Sequence, residues 1–289
     1  MSKTEKKTRK ASQHVETRLL DNTTPFAIRE SFNHLRTNLM YTLNDEEGCP
    51  IFAVTSAGEA AGKSTLMANV AISYAMAEKK VLLIDGDMRA PMQYRIFSME
   101  KSQWGLSELL SGIEENDDKL IIETKTKGLN VLLAGMTPPN PSELILSNRF
   151  ERFLKKWRME YDAIFIDFPP VDIVTDTLAV HQLVTGYVFV VRSDRSDGRK
   201  VASALDMMEK VDAKILGIVL NDVNAKSYGG GYSYRRSKYS KYSKYSKYSR
   251  YAGKYANKYE GAKYESAYEN AYERAYQQQE AAQDESKDA

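Results

Sequence analysis

Residues 57–64, Ala-Gly-Glu-Ala-Ala-Gly-Lys-Ser, have the composition of a loop that binds phosphate groups. The apolar, β-branched run 51–56 predicts a strand before this loop, and the alanine-rich stretch 65–79 predicts a helix after it. Backbone amides and the positive helix end can then face a nucleotide's phosphates, while Lys63 reaches the outer ones and the Ser64 hydroxyl binds Mg²⁺. The predicted nucleotide-binding residues of the loop are Gly58, Glu59, Ala60, Ala61, Gly62, Lys63, Ser64 and Thr65.

Acidic residues end two other predicted strands. Asp85, Asp87 and Arg89 follow the second apolar run, and Asp167 ends the fourth. Mg²⁺ keeps several of its waters and is commonly held by carboxylates through them, and a carboxylate could also accept a proton from an incoming hydroxyl. Each acidic strand end could be only a helix cap or a turn residue, but their joint occurrence with the phosphate loop favours a shared site. The predicted metal site consists of Ser64, Asp85, Asp87 and Asp167.

Six near-continuous apolar runs predict the strands that position these residues. Such runs are typical of parallel strands that are covered on both faces, and helical patterns lie between them. The strands are predicted at 51–56, 80–85, 130–135, 163–167, 186–192 and 215–220, and the helices at 64–79, 142–156 and 199–211. We therefore predict a doubly wound, mostly parallel α/β sheet of the P-loop NTPase type, with its active site outside the carboxyl ends of the strands.

Three further segments carry local signals. Thr24–Leu43 predicts an amphipathic helix that Thr23 or Thr24 could cap. The run Asn140-Pro141-Ser142-Glu143 has the pattern of a helix start. The segment 100–128 is polar, and we expect it to be irregular.

The net charge of +2 is unevenly distributed over the 289 residues. Residues 1–20 and 228–289 each carry a net +4, which leaves an acidic body. An acidic body argues against a groove for duplex nucleic acid, because such binding depends on phosphate neutralisation. The basic N-terminus could lie on an anionic membrane surface or be only a solvated tail.

No apolar run approaches the ~20 residues that cross a bilayer, so we expect a cytoplasmic protein. The single cysteine, Cys49, is interpreted as a structural thiol, and the three histidines have no metal-ligand spacing. We predict three parts: a polar basic leader over 1–23, an α/β domain over 24–226, and a tail over 227–289. Fourteen of the 19 tyrosines lie between 228 and 276. This tail has few aliphatic residues to offset its ordering entropy, so we expect it to be flexible.

Together these motifs resemble the bacterial tyrosine kinases of capsule and exopolysaccharide systems, specifically the separate cytoplasmic type of Gram-positive bacteria. The resemblance covers about residues 24–289. It rests on the phosphate loop, Asp85-x-Asp87-x-Arg89, Asp167-x-x-Pro170, Pro138-Pro-Asn-Pro-x-Glu-Leu144 and the C-terminal tyrosine cluster. It implies an ATP- and Mg²⁺-dependent kinase that phosphorylates tyrosines in its own tail and in partner proteins.

The resemblance also implies roles for single residues. Lys63 would contact phosphate, and Asp85 is our preferred base for the tyrosine hydroxyl, with Asp87 the other candidate. Arg89 would either steady the strand-end carboxylates or contact phosphate. Asn221, at the end of the last strand, could touch the adenine or be only a turn residue.

The implied acceptors lie in the tail, and the first of them is 13 positions after Lys226. A flexible linker of that length reaches about 20 Å, so transfer to a neighbouring subunit is feasible. Each phosphate adds about −1.5 to −2 charge, so a few of them would reverse the tail's net charge. The acceptors are Tyr239, Tyr242, Tyr245, Tyr248, Tyr251, Tyr255, Tyr259, Tyr264, Tyr268, Tyr272 and Tyr276.

Members of this family form rings through a Glu-x-x-Arg-x-x-Arg helix, where this chain has Glu30-x-x-Asn33-x-x-Arg36. Asn33 lacks the charged, forked donor of arginine, so we expect a homo-oligomer that is weaker or uses other contacts. The resemblance further implies a separate membrane activator, similar to a polysaccharide co-polymerase, that brings the kinase to the inner face of the plasma membrane.

Two other functions stay open at this stage. A P-loop ATPase could use a basic, aromatic tail to bind single-stranded nucleic acid. Alternatively, the body could be a partitioning-type ATPase with an inert tail. Related ATPases of cell-division placement and plasmid partition carry lysine where this loop has Gly58, which disfavours that interpretation.

Overall fold

The computed structural model describes residues 19–43, 48–173, 176–193 and 195–223. The chain divides into two units, Met1–Asn224 and Ala225–Ala289, and every described residue belongs to the first. The basic leader before Leu19 and all the predicted acceptor tyrosines lie outside the described residues. The three-part division of the chain therefore stays a prediction.

The described part of the chain is built around one sheet with helices on both faces. Its strands are β1 (Ile51–Ser56), β2 (Val81–Asp85), β3 (Ile121–Glu123), β4 (Leu129–Leu132), β5 (Ala163–Asp167), β6 (Gly186–Arg192) and β7 (Ile215–Asn221). Their spatial order is β3-β4-β2-β5-β1-β6-β7. All pairs are parallel except β3–β4, which is antiparallel at one edge. The predicted doubly wound α/β fold is confirmed.

Helices fill the connections between these strands. They are α1 (Phe26–Tyr41), α2 (Lys63–Met76), α3 (Gln93–Ile96), α4 (Leu106–Ser111), α5 (Pro141–Ile145), α6 (Asn148–Trp157), α7 (Asp176–Ala179) and α8 (Gly198–Lys210), with a 3₁₀ turn at Asp117–Lys119. In the described part of the chain, no helix is long and apolar enough to span a bilayer.

The central strands are buried on both faces, which explains their near-continuous apolar sequence. In β1, Phe52 and Val54 belong to the core under α1 and α2, whereas Ile51 and Ala53 face the core under α4, α6 and α8. An aromatic cluster adds to the first core, because the Phe52 and Phe165 rings stack with centroids 5.1 Å apart. Two packed layers therefore hold the strand ends in a fixed relative position.

Helix α2 is buried almost all around, and 11 of its 14 residues are buried. Its alanines and serines allow close packing between the sheet and α1. Leu20 also packs into this layer, and its backbone N–H donates to Asn69 Oδ1 at 2.7 Å. The helix that follows the phosphate loop is therefore packed against the sheet on one side and against α1 on the other.

Several local predictions were wrong. The segment 100–128 is not irregular throughout, because Leu106, Leu109 and Leu110 bury one face of α4 and the edge strand β3 follows. The predicted helix 142–156 is two helices, and the Ser147 side chain caps the second by accepting from the Phe150 N–H. Neither Thr23 nor Thr24 caps α1; Pro25 occupies that position, and both threonine hydroxyls donate to Asp21.

Candidate nucleotide and metal site

The phosphate loop connects β1 to α2 at the carboxyl edge of the sheet. Ser56 Oγ donates to the Gly58 carbonyl at 2.7 Å, and α2 begins directly after Gly62, whose φ of +86° is left-handed. A Cβ at position 62 would lie 2.2 Å from Asn221 Nδ2, so only glycine fits there without displacing that side chain. The first backbone N–H groups of α2 have no partner within the helix and are available to an anion.

Lys63 lies between two carboxylates from different strands. Its Nζ is 3.4 Å from Asp87 Oδ2 and 3.5 Å from Asp167 Oδ1, and its side chain is 11% exposed. Burial by itself would lower the pKa of Lys63, but the negative charges of Asp167, Asp87 and Asp85 more than offset this and raise it. Lys63 is therefore a charged, preformed anchor for a nucleotide's phosphates.

Asp85 and Asp167 are brought together by the parallel register of β2 and β5. They are direct register partners, and both are fully buried. Gly86, the next residue after β2, donates its N–H to the Asp167 carbonyl at 2.9 Å, and a Cβ there would meet Ile166 at 3.0 Å. The close approach of the two strand ends thus depends on the glycine between Asp85 and Asp87.

Asp85 is held by backbone groups on one oxygen only. Its Oδ2 accepts from the Met92 and Gln93 N–H groups at 3.0 and 2.9 Å, whereas its buried Oδ1 has no hydrogen-bond partner in the described residues. Burial, and then the charge of Asp167, raise the pKa of Asp85 well above its ordinary value. Such a carboxyl has a higher proton affinity than an exposed carboxylate, which is a property that a general base can use.

Gln93 lies in the candidate nucleotide and metal site, although the sequence pattern did not predict it there. It is fully buried, and its Nε2 donates to Asp167 Oδ2 at 3.0 Å and to the Ser64 carbonyl at 3.3 Å. Its Oε1 is also buried without a partner in the described part of the chain. A lone glutamine between a Pro-Met pair and a tyrosine carries no signal in sequence, so only tertiary structure reveals this position.

Two other predicted residues lie at the rim of the site. Arg89 is exposed, and its Nη2 donates to Ser142 Oγ at 3.1 Å, at the start of α5. Asn221 Nδ2 donates to the Ala61 carbonyl at 3.0 Å, so its side chain braces the phosphate loop. The roles of Arg89 toward phosphate and of Asn221 toward adenine stay predictions.

Arg192 and Asp222 also contact the loop, and the sequence did not mark either of them. The Arg192 guanidinium donates to the Ala60 carbonyl at 2.9 Å and pairs with Asp222 Oδ2 at 2.7 Å. Ala60 has an unusual φ of +58° for a residue with a side chain. Arg192 and Asn221 therefore hold two loop carbonyls toward the ends of β6 and β7.

The donor set suits Mg²⁺, which prefers oxygen. Ser64 Oγ lies 3.4 Å from Lys63 Nζ, the nitrogen that Asp87 and Asp167 also contact. Asp85 is the register partner of Asp167. Within the described ranges, no three His, Cys, Asp or Glu side chains are placed to ligate one ion together. An ion held by Ser64, by phosphates and by carboxylate-bound waters would not need such a cluster. The unpaired Asp85 Oδ1 fits such a role, because leaving a buried acceptor without a donor costs about 1–3 kcal/mol.

The predicted oligomerisation residues lie away from this site, between α1 and α2. Arg36 Nη1 donates to the Ser73 carbonyl and Oγ at 2.6 and 3.0 Å, and Ser73 Oγ donates to Asn33 Oδ1 at 3.3 Å. Asn33 Nδ2 in turn donates to Glu30 Oε1 at 2.8 Å. These three side chains therefore form contacts within the protomer.

Comparison with known proteins identifies the group to which this site belongs. The sequence model of a family described as "ParA: NUBPL iron-transfer P-loop NTPase" matches residues 50–241. The chain is 40% identical over 207 residues to the putative tyrosine-protein kinase CapB of Staphylococcus aureus, covering 72% of this chain and 90% of that protein. It is 35% identical over 213 residues to the tyrosine-protein kinase CpsD of Streptococcus agalactiae, covering 72% and 91%.

A solved structure agrees with these sequence relatives. The chimerical protein CapA2B2 superposes with a TM-score of 0.63 and 37% sequence identity, covering 68% of this chain and 85% of that one. Residues 50–241, which the family model matches, contain the sheet and the phosphate loop described above. Fold and sequence therefore point to the same relatives.

Proposed function

Because the chain belongs to the bacterial tyrosine kinases within the ParA-type P-loop NTPases, it is a protein-tyrosine kinase, and we propose that it uses Mg²⁺–ATP to phosphorylate its own C-terminal tyrosines. We further propose that it controls capsular or exopolysaccharide biosynthesis and also phosphorylates other proteins on tyrosine. The observation that carries the proposal is the position of Lys63 between Asp87 and Asp167, carboxylates from two strand ends at one phosphate loop.

In this proposal Lys63 and the N-terminus of α2 bind the outer phosphates of ATP. Phosphate oxygens would compete with Asp87 and Asp167 for Lys63, which releases these carboxylates to accept hydrogen bonds. Bound Mg²⁺ supplies charge neutralisation on the transferring phosphoryl group, and Ser64 with the three carboxylates would hold it.

Asp85 would take the proton of the attacking tyrosine hydroxyl. Its raised pKa and its unpaired Oδ1 support this role over that of Asp87, whose Oδ1 already accepts from the Ala90 N–H at 3.0 Å. The phosphoryl group passes from ATP to the phenolic oxygen, ADP leaves, and the proton ends on the carboxyl group. Because Asp85 is fully buried, the tyrosine reaches it only after a local rearrangement around this residue.

We propose transfer between subunits of a homo-oligomer, assisted by a separate membrane activator that recruits the cytoplasmic chain to the inner membrane face. The acidic body and the basic tail attract each other by charge, and phosphates on the tail would reverse that attraction. Phosphorylation should therefore release the tail and loosen the oligomer.

The direct test incubates the full-length chain with labelled ATP, Mg²⁺ and the cytoplasmic end of a candidate activator. Label is expected on Tyr239–Tyr276, and Lys63→Met should reduce it at least about 100-fold because a charged donor to the phosphates is lost. The exposed Lys79→Met is the matched control and should leave labelling unchanged. Equal labelling in Lys63→Met and wild type would contradict the proposal.

Mixing distinguishes transfer between chains from transfer within one chain. Full-length Lys63→Met, carrying a distinguishable tag, is incubated with the wild type and ATP. Label on the Lys63→Met chain is expected if one subunit phosphorylates another, and its absence would refute that part of the proposal. Light scattering before and after ATP treatment gives the oligomer mass, which should fall on phosphorylation.

A further inference from the structure

Gln93 occupies an unusual position for a neutral polar residue, because it connects three parts of the site. Its backbone N–H donates to Asp85 Oδ2, its side-chain Nε2 donates to Asp167 Oδ2, and the same nitrogen donates to the Ser64 carbonyl. The residue is fully buried at the start of α3. One side chain thus joins the ends of β2 and β5 to the first turn of α2.

The orientation of the Gln93 amide is determined by its neighbours. Asp167 Oδ2 and the Ser64 carbonyl oxygen are acceptors only, so the NH₂ group must face them. The carbonyl end, Oε1, then faces the other way, where it is buried without a donor in the described residues. Turning the amide over would place an oxygen against two acceptors, so the geometry excludes that alternative.

The two unpaired buried acceptors belong to residues that contact each other directly. Gln93 Oε1 and Asp85 Oδ1 are the buried side-chain atoms without a partner in the part of the chain that the structure describes. Asp85 and Gln93 are joined by a direct hydrogen bond of 2.9 Å. Buried acceptors are almost always paired in folded proteins, so these two atoms indicate a donor that the described residues do not supply.

We propose that Gln93 is a positioning residue of the Mg²⁺–nucleotide site. Its NH₂ group holds Asp167 against the start of α2. Its Oε1 would accept a hydrogen bond from a water bound to the ion. This inference rests on the proposed function, because it needs Mg²⁺–nucleotide as the ligand. Residues that orient the groups around a metal typically change its affinity 10- to 100-fold when they are replaced.

The test measures binding of a fluorescent ADP, N-methylanthraniloyl-ADP, to the full-length chain at increasing Mg²⁺ concentration. In Gln93→Leu the Mg²⁺ concentration for half-maximal tight binding should rise about tenfold or more. The affinity for the same ADP in excess EDTA should change less than about twofold. Gln103→Leu makes the same chemical change at an exposed glutamine and should match the wild type.

Gln93→Asn covers the case in which the leucine variant does not fold. It keeps an amide in the pocket but withdraws it by about 1.5 Å, one C–C bond length, so the same Mg²⁺ deficit is expected. A Gln93 variant that matches Gln103→Leu in Mg²⁺ dependence would overturn the inference. Equal losses of ADP affinity in Mg²⁺ and in EDTA would also overturn the inference, because they would indicate that Gln93 has a packing role only.

The wild type and Lys63→Met separate failure of this inference from failure of the proposed function. If the wild type shows no Mg²⁺-dependent ADP binding, or if Lys63→Met binds equally well, the nucleotide site itself is wrong. If the wild type binds ADP in the presence of Mg²⁺ and Lys63→Met does not, the nucleotide site is supported. The Gln93 variants alone then decide the inference about Gln93.

Discussion

Two polar clusters contact the same helix, α2, and they differ in how completely their hydrogen bonds are satisfied. At its start, the site cluster around Lys63 leaves Asp85 Oδ1 and Gln93 Oε1 buried without partners. Ten residues further along, the junction cluster of Ser73, Arg36, Asn33 and Glu30 is linked by internal hydrogen bonds. Both clusters are polar, yet only one is incomplete.

This difference in hydrogen bonding distinguishes groups that could bind a ligand from groups that stabilise the fold. Unpaired buried acceptors cost free energy, and a fold retains them where a ligand later supplies the missing donors. The junction cluster has no such deficit in the described residues, so its contacts stabilise the packing of α1 on α2. Any role of Arg36 between subunits would compete with these contacts.

The largest expected effect comes from Asp85→Asn, which should lower kinase activity at least about 100-fold because the proposed base is lost. The same change should stabilise the free protein at pH 8. Burial raises the folded-state pKa of Asp85, so its stabilising contribution is present below the ordinary carboxyl pKa and is lost as the pH rises toward the folded value. Asparagine has no proton to lose.

Calorimetry of the nucleotide-free chain between pH 4 and pH 8 tests the direction of this stability change. The melting temperature of Asp85→Asn should exceed that of the wild type at pH 8, and the difference should shrink as the pH is lowered toward about 4. The exposed Asp118→Asn is the control and should show no such trend. If the difference in melting temperature between Asp85→Asn and the wild type grew as the pH was lowered, it would contradict the proposed distinction between the two clusters.

A middle-sized effect is expected for Arg36→Ala. The substitution removes a charged donor from the Ser73 carbonyl and hydroxyl, so the free energy of unfolding should fall by about 1–3 kcal/mol. Denaturant unfolding measures it, and Arg29→Ala on the same helix is the comparison. Nucleotide affinity should be unchanged. Loss of the oligomer with unaltered stability would show that Arg36 serves another subunit instead.

The smallest expected effect is that of Arg192→Ala at the rim of the site. Its contact with the Ala60 carbonyl is partly exposed, so losing it should raise the KM for ATP about 3- to 10-fold with little change in kcat. Arg195→Ala in the following loop is the matched control. A kcat loss comparable to that of Asp85→Asn would place Arg192 in the chemistry rather than in loop support.

Sequence patterns predicted most of the architecture because those signals are local. The apolar runs at 51–56, 163–167 and 186–192 coincide with β1, β5 and β6. Helix α2 begins at the end of the phosphate loop, as expected. The short helix α4 was missed because its buried leucines lie in a largely polar segment. The break between α5 and α6 was missed because Ser147, which caps α6, looks like an ordinary helix residue in the predicted run.

The sequence alone determined which residue types stand at the strand ends: an amine and a hydroxyl after β1, and carboxylates after β2 and β5. Only the tertiary structure decided that Asp85 and Asp167 are register partners, that Gln93 joins them to Ser64, and that Arg36 is engaged by Ser73. The reason is physical. Strand and helix periodicity acts between near neighbours in the chain, whereas strand order, register and burial are set by packing between segments tens of residues apart.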